Sequence, residues 1–183
     1  MIIAGRSAAF VVMIIVSAMF LYFSWRAKKT GKGPKIRKIA GLEALDEGVG
    51  RAAEIGRPVL WTSGLPTTPK LYGPDGPQLL AAVSILHSLT KMCAKKQVDI
   101  VAGVGQSEML PAAEEAIRLG YISEGKPEMF KAGNMVYLPD QAYTVGISGL
   151  MVKVKPPFCV YAGPMLHEAI ILGEVGYSVK AFQ

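Results

Sequence analysis

The chain has 183 residues and a mass of 19.6 kDa, room for one domain of ordinary size with an appendage. Half of it is apolar (51%), 19% is charged and the mean hydropathy is +0.32, which excludes a disordered acidic tail or a solvated low-complexity protein. Cys93 and Cys159 are too few for a disulfide framework and lack the paired spacing of a zinc site, so neither a metal nor a cofactor is expected.

The formal charge of +6 suggests nucleic acid until it is mapped. Seven basic residues, Arg26, Lys28, Lys29, Lys32, Lys35, Arg37 and Lys38, crowd one short stretch with no acid among them. From Ile39 onward twelve Lys/Arg face fourteen Asp/Glu, a balance of −2. The folded part is therefore mildly acidic, and a nucleic-acid partner is not expected.

The first predicted element runs from Ser7 to Trp25, nineteen residues without a charge. At helical rise that is roughly 28 Å, enough to cross the hydrocarbon core of a bilayer. Tyr22 and Trp25 stand at its carboxyl end, where amphipathic aromatics favour the headgroup level. A cleaved signal peptide fits less well, because the charges follow the apolar run and no small-residue cleavage site succeeds it. The expectation is a retained single-pass anchor over residues 1–25. The basic belt after it, against one arginine before it, predicts that the carboxyl side is cytoplasmic. Such a belt is also drawn to anionic lipid headgroups. Residues 26–38, with Gly31, Gly33 and Pro34, read as a tether.

Residues 39–183 alternate helical and strand-like patterns. Leu42, Leu45, Val49 and Ala52 predict a helix that Gly56-Arg57-Pro58 closes, and Val59–Thr62 predicts a buried strand. A Pro/Gly-rich loop follows, from Ser63 to Pro77, with the apolar Leu65, Leu71 and Tyr72 in it. Next come a helix over 78–96, a strand over 98–102 and a helix over 109–119 with Pro111 in its first turn. A third strand is predicted at 135–138, then a helix capped by Asp140 and running to about Val152. A fourth strand at 158–162, a helix over 165–172 and a fifth strand over 177–182 complete the pattern. Strands joined by helical crossovers imply parallel pairing. The expected fold is α/β, a three-layer Rossmann-like sandwich with a mostly parallel sheet of about five strands behind one transmembrane helix. A chain that stops right after an apparent strand reads as part of something longer.

The run Ala40–Val59 resembles the opening of an uncharacterised family of membrane-associated domains from bacteria and archaea. Leu138-Pro-Asp-Gln141, Gly146, Gly149, Glu168 and Leu172–Ser178 are similar to its later segments. The resemblance implies a domain that continues past Gln183, and no chemistry.

Several residues invite a functional reading. Gly48-Val-Gly50-Arg-Ala-Ala53 spells a dinucleotide loop, but no strand precedes it. Its glycines are expected to sit inside a helix and allow close packing against a neighbouring helix or subunit. Gly103-Val-Gly105-Gln106-Ser107 stands in better context, between a strand and a helix, where amides and the Ser107 hydroxyl would hold an anion. The third glycine of a phosphate loop is replaced by Glu108. Ser63, His167 and Asp140 can be written as a triad, yet Ser63 lacks the elbow that exposes a nucleophile. His87 reads as a packed or surface histidine.

With no catalytic constellation, the leading expectation is a membrane-anchored, non-catalytic assembly or scaffold module that forms a homo-oligomer or gathers other membrane proteins. Gly48 with Gly50, and Gly146 with Gly149, would serve its close contacts. The alternative is a small-molecule or nucleotide-binding α/β domain, enzymatic or not, using the crevice at the strand ends. Its ligand-binding candidates are Ser63, Gly103, Gly105, Gln106, Ser107, Asp140, Gly163 and Glu168.

Overall fold

A computed structural model describes residues 7–30, 40–65, 73–139 and 141–183. The chain divides into two compact units, residues 1–39 and 40–183. Lys32, Lys35, Arg37 and Lys38 of the basic belt, the loop residues 66–72 and Asp140 all lie outside the described residues.

Among the described residues the first unit is one helix, α1 (Ser7–Thr30), whose side chains have no polar stripe. An 18-residue stretch within Ser7–Lys29 has a mean hydropathy of 2.2 and none of it is buried, so the helix is long and apolar enough to cross a membrane. Lys28 and Lys29 occupy its last turn, where cations answer the exposed carbonyls and the helix dipole. Lys29 Nζ also sits 5.0 Å from the centre of the Trp25 ring.

The second unit is a mixed α/β domain. Helix α2 (Ala40–Ile55) leads into strand β1 (Val59–Thr62), then α3 (Gly76–Lys96), β2 (Ile100–Val104), α4 (Leu110–Ser123), β3 (Met135–Tyr137), α5 (Gln141–Val154), β4 (Cys159–Tyr161) and α6 (Glu168–Ser178). The four strands form one parallel sheet in the order β3-β2-β1-β4. Val59 pairs with Ile100, Leu60 with Cys159, and Ala102 with Met135.

Side chains alternate across each strand, and the two faces are covered by different helices. Val59, Trp61, Ile100, Ala102, Val104 and Val160 join α2, α3 and α4 in one core cluster. Leu60 and Cys159 join Tyr143, Ile147 and Met151 of α5 and Leu172 of α6 in another. The order follows from this: β1 to β3 add outward with α3 and α4 on one face. The chain then returns past β1 through α5 on the other face and places β4 on β1's free side.

Three boundaries differ from the sequence expectation. Gln97 closes α3 in a left-handed conformation (φ 58°, ψ 39°) and Val98 donates to Cys93 O, so β2 starts at Ile100 and contains Gly103. Helix α6 begins at Glu168 and runs through Gly173 and Gly176 to Ser178. The predicted fifth strand therefore reduces to one parallel bridge between Phe158 and Phe182. Gly176 does not end the helix because it makes room for Gln183, whose carboxamide donates to Gly173 O at 3.1 Å. The chain turns only afterwards, at Lys180 (φ 60°).

Gly48 and Gly50 lie inside α2, as the absence of a preceding strand implies. Gly48 packs within its own domain: the Phe158 ring covers it so closely that a Cβ would lie 2.5 Å from a ring carbon. Gly146 faces Leu138, and Gly149 has no atom within 4 Å of where a Cβ would be.

Candidate functional site

The carboxyl ends of β1 and β4 mark the place where chain direction changes in the sheet, the usual seat of a ligand in such topologies. Two glycines meet there. Gly64 (φ +73°) follows β1 and Gly163 (φ +131°) follows β4, both in the left-handed region that favours glycine. A Cβ on Gly64 would fall on the Pro164 carbonyl, and one on Gly163 would fall on the Ser63 carbonyl. The two loops thus cross backbone against backbone.

Beneath the crossing lies a buried polar group. Thr62 Oγ1 donates to Gly103 O at 3.2 Å and is bonded to the Tyr143 hydroxyl. Burial pushes the Tyr143 phenol up to about 12, and the Glu168 charge adds to the rise. The neighbouring Thr62, Gly64 and Ser63 hydrogen bonds pull the other way. The phenol therefore keeps its proton at neutral pH. Ser63 is fully buried and its hydroxyl donates to Gly64 O at 3.1 Å.

The peptide unit joining Gly64 to Leu65 is held from both sides. Gln106 Nε2 donates to the Gly64 carbonyl at 3.5 Å, and Leu65 N–H donates to Glu168 Oε1 at 3.2 Å. Gln106 and Glu168 are 4% and 1% exposed, and Gln106 Oε1 and Glu168 Oε2 have no hydrogen-bond partner among the described residues. His167, largely exposed, brings its Nδ1 to 3.8 Å from Glu168 Oε2.

Of the residues predicted from sequence, Ser63, Gln106, Gly163 and Glu168 thus converge on one loop crossing. Gly103 and Gly105 are close by, but as packing surfaces: a Cβ on Gly103 would strike Ile147, and one on Gly105 would touch Leu65 and Tyr143 at 3.0 Å. Ser107 is exposed, opening the short turn Ser107–Met109 that leads into α4. Tyr143 and Thr62 were missed. A tyrosine at core spacing in α5 carries no local signal that it meets β1.

An open cavity of about 380 Å³ adjoins the crossing, lined by Leu65, Asp75, Gln78, Gly163, Pro164 and Met165 among others. Of the candidates only Gly163 reaches it. A second cavity, about 450 Å³, lies among the turns that precede β1 and β2, where Arg57, Lys126, Lys131, Asp99 and Glu128 contribute mixed charge. Lys131 is committed to Asp99 (3.1 Å) and Lys126 to Ala94 O (2.7 Å). Among the described residues no group of three or more His, Cys, Asp or Glu is placed to hold a metal ion. His87 is half-buried, with Nδ1 3.1 Å from Ala116 O.

Apart from Gln106 Oε1 and Glu168 Oε2, the polar atoms of the crossing bond to each other and to the backbone of the two loops. A family described as a domain of unknown function, DUF6754, matches residues 1–183. The chain belongs to that family. The match takes in the apolar helix and the α/β domain alike. No curated protein and no solved structure matches the DUF6754 chain at a significant level.

The outer side of the α5–α6 layer is the other notable surface. Helix α6 carries apolar residues on its outer as well as its inner side. Glu168, Leu172 and Gly176 face the sheet, whereas Ile170 (79% exposed) and Tyr177 (77%) face away. On α5, Tyr143, Ile147 and Met151 face inward and Val145 (75% exposed) and Val152 outward. No pattern in the sequence distinguishes which apolar side of these helices is left uncovered.

Proposed function

We propose that this DUF6754 chain is a membrane-anchored, non-catalytic assembly module whose domain lies at the cytoplasmic face and docks other protein there. The observation that carries the reading is the apolar face of α5 and α6 that the described residues of the domain leave exposed. Monomeric proteins rarely leave contiguous apolar surface beyond a few hundred Å² open to water. The basic residues after α1, against one before it, support the orientation and an attraction to anionic lipid headgroups. Parallel strands in the order β3-β2-β1-β4, with helices on both faces, support a Rossmann-like sandwich. The loop crossing supports a non-catalytic role, because Ser63, Gln106 and Glu168 are buried and engaged with backbone.

A second reading, a small-molecule or nucleotide-binding domain, is favoured by one observation. Gln106 Oε1 and Glu168 Oε2 are buried acceptors without a donor, which a ligand entering the crevice would supply. Native mass spectrometry of the full chain released from detergent separates the two. A defined multiple of 19.6 kDa, or a fixed complex with another protein, supports assembly. A bare monomer refutes it, and a monomer carrying extra small-molecule mass supports the second reading.

A further inference from the structure

We infer that the crevice at the carboxyl ends of β1 and β4 takes a small organic cation, a primary ammonium on a short apolar body, with Glu168 as its counter-charge; this rests on the second reading above and names its ligand class. Behind it stands a buried acid without a basic partner. Glu168 is 1% exposed, and one of its oxygens accepts from Leu65 N–H at 3.2 Å. The other, Oε2, has no hydrogen-bond partner among the described residues. His167 Nδ1, at 3.8 Å, is too far away to be its donor. A buried charge is ordinarily matched by an opposite one, and a buried acceptor by a donor. An ammonium group supplies both, an alcohol supplies the donor alone, and a phosphate adds a like charge.

The cavity beside this carboxylate has the matching character. Leu65, to which Glu168 is bonded, forms part of one wall, and the run Pro164–Leu166 that leads toward α6 forms another. Glu168 therefore ties the two walls together from behind. The space, about 380 Å³, is within the range that small ligands occupy. Leu65, Met165 and Leu166 give it an apolar side, while Asp75 adds a second acid and Gln78 a carboxamide. Among its described lining residues there is no lysine or arginine. Such a lining repels a phosphate and accepts a cation that carries hydrocarbon. Contact with Oε2 asks a neighbour to yield, and the His167 side chain, 77% exposed, has room to swing aside. An organic cation suits the place better than a metal ion, since no group of three or more His, Cys, Asp or Glu is gathered among the described residues.

The chain carries its own reporter, because Met165 stands in the cavity wall. Full-length chain with carbon-13 methionine methyls, held in a non-ionic detergent, is titrated by NMR with n-butylammonium and, in parallel, with 1-butanol, butyrate and ADP. Met165→Leu identifies the signal. The expected result is a saturating shift of the Met165 methyl with butylammonium alone. Glu168→Gln keeps the acceptor for Leu65 N–H; checked for an unchanged circular dichroism spectrum, it is expected to weaken that binding at least tenfold. Glu128→Gln, in the cavity among the turns before β1 and β2, should leave it unchanged. A butylammonium response that survives Glu168→Gln overturns the counter-charge. A response to butanol, butyrate or ADP that equals or exceeds it overturns the cation and leaves the ligand-binding reading standing. If no probe moves Met165 the cation site is refuted, and the ligand-binding reading falls with it when native mass spectrometry also shows no small-molecule mass on the chain.

Discussion

Gly48→Ala tests the packing of α2 on the sheet more sharply than any larger change. The added methyl would lie 2.5 to 2.6 Å from three carbons of the Phe158 ring. Carbon atoms rest at about 3.5–4.0 Å, so the ring must retreat by about 1 Å. It has little freedom to do so. Phe158 is 3% exposed and stacks on Phe182 at a centroid distance of 5.5 Å, and Phe182 in turn lies 4.7 Å from the Arg51 guanidinium carbon. Overpacking of this kind costs about 1–3 kcal/mol. Alanine returns about 1 kcal/mol through its better helix propensity. The net is a loss of about 1 kcal/mol, or a midpoint lower by about 4 °C for a domain of this size. The control is Gly41→Ala in the same helix, where no atom stands within 4 Å of the new Cβ and the midpoint should hold or rise. Thermal melts of the full chain in detergent, followed by near-ultraviolet circular dichroism, measure both. A Gly48→Ala protein as stable as wild type, alongside a normal Gly41→Ala, would refute the close contact with Phe158.

Two further outcomes are expected. Glu168→Gln keeps the acceptor for Leu65 N–H and removes a buried carboxyl oxygen that has no donor, so stability in urea should be unchanged or higher. Glu168→Leu also orphans that N–H and should cost about 1–3 kcal/mol, and equal stabilities for the two variants would contradict the loop-holding role. Stability should also fall as pH rises from about 9 toward about 12. Burial raises the Cys93 and Cys159 thiols from 9.0 to about 12, so above pH 9.0 the unfolded chain sheds protons that the folded chain keeps. Tyr143 acts in the same direction from its ordinary 10.0 upward. A urea midpoint that stays flat across that window would contradict the burial of these groups.

Local signals carried much of the architecture. Val59–Thr62 and Met135–Tyr137 stand where apolar runs between turn residues predict them, and Pro111 sits in the first turn of α4. The long apolar helix α1 was legible because nineteen uncharged residues leave few alternatives. What failed was decided at a distance. Gly173 and Gly176 look like punctuation, and only Gln183 folding back explains why α6 continues through them. Gly48 reads as a surface for another helix, and its true neighbour, Phe158, belongs to the far end of the chain. The candidate site was half legible for the same reason. Ser63, Gln106 and Glu168 are polar residues at strand ends, which a crossover pattern brings together. Thr62 and Tyr143 look like core, and only the sheet order sets the α5 phenol against β1.

The crossing of Gly64 and Gly163 also fixes an order of events. β1 is made before the other three strands of this sheet and sits inside it, between β2 and β4. Its hydrogen bonds to β2 can form early, but the loop after it takes its shape from Pro164 and Gly163, which follow the last strand. Closing that long segment costs chain entropy before any contact repays it. The earliest strand to be made is therefore the last to be finished, and until β4 arrives Leu60 and Trp61 stay open along one edge to whatever else the nascent chain meets.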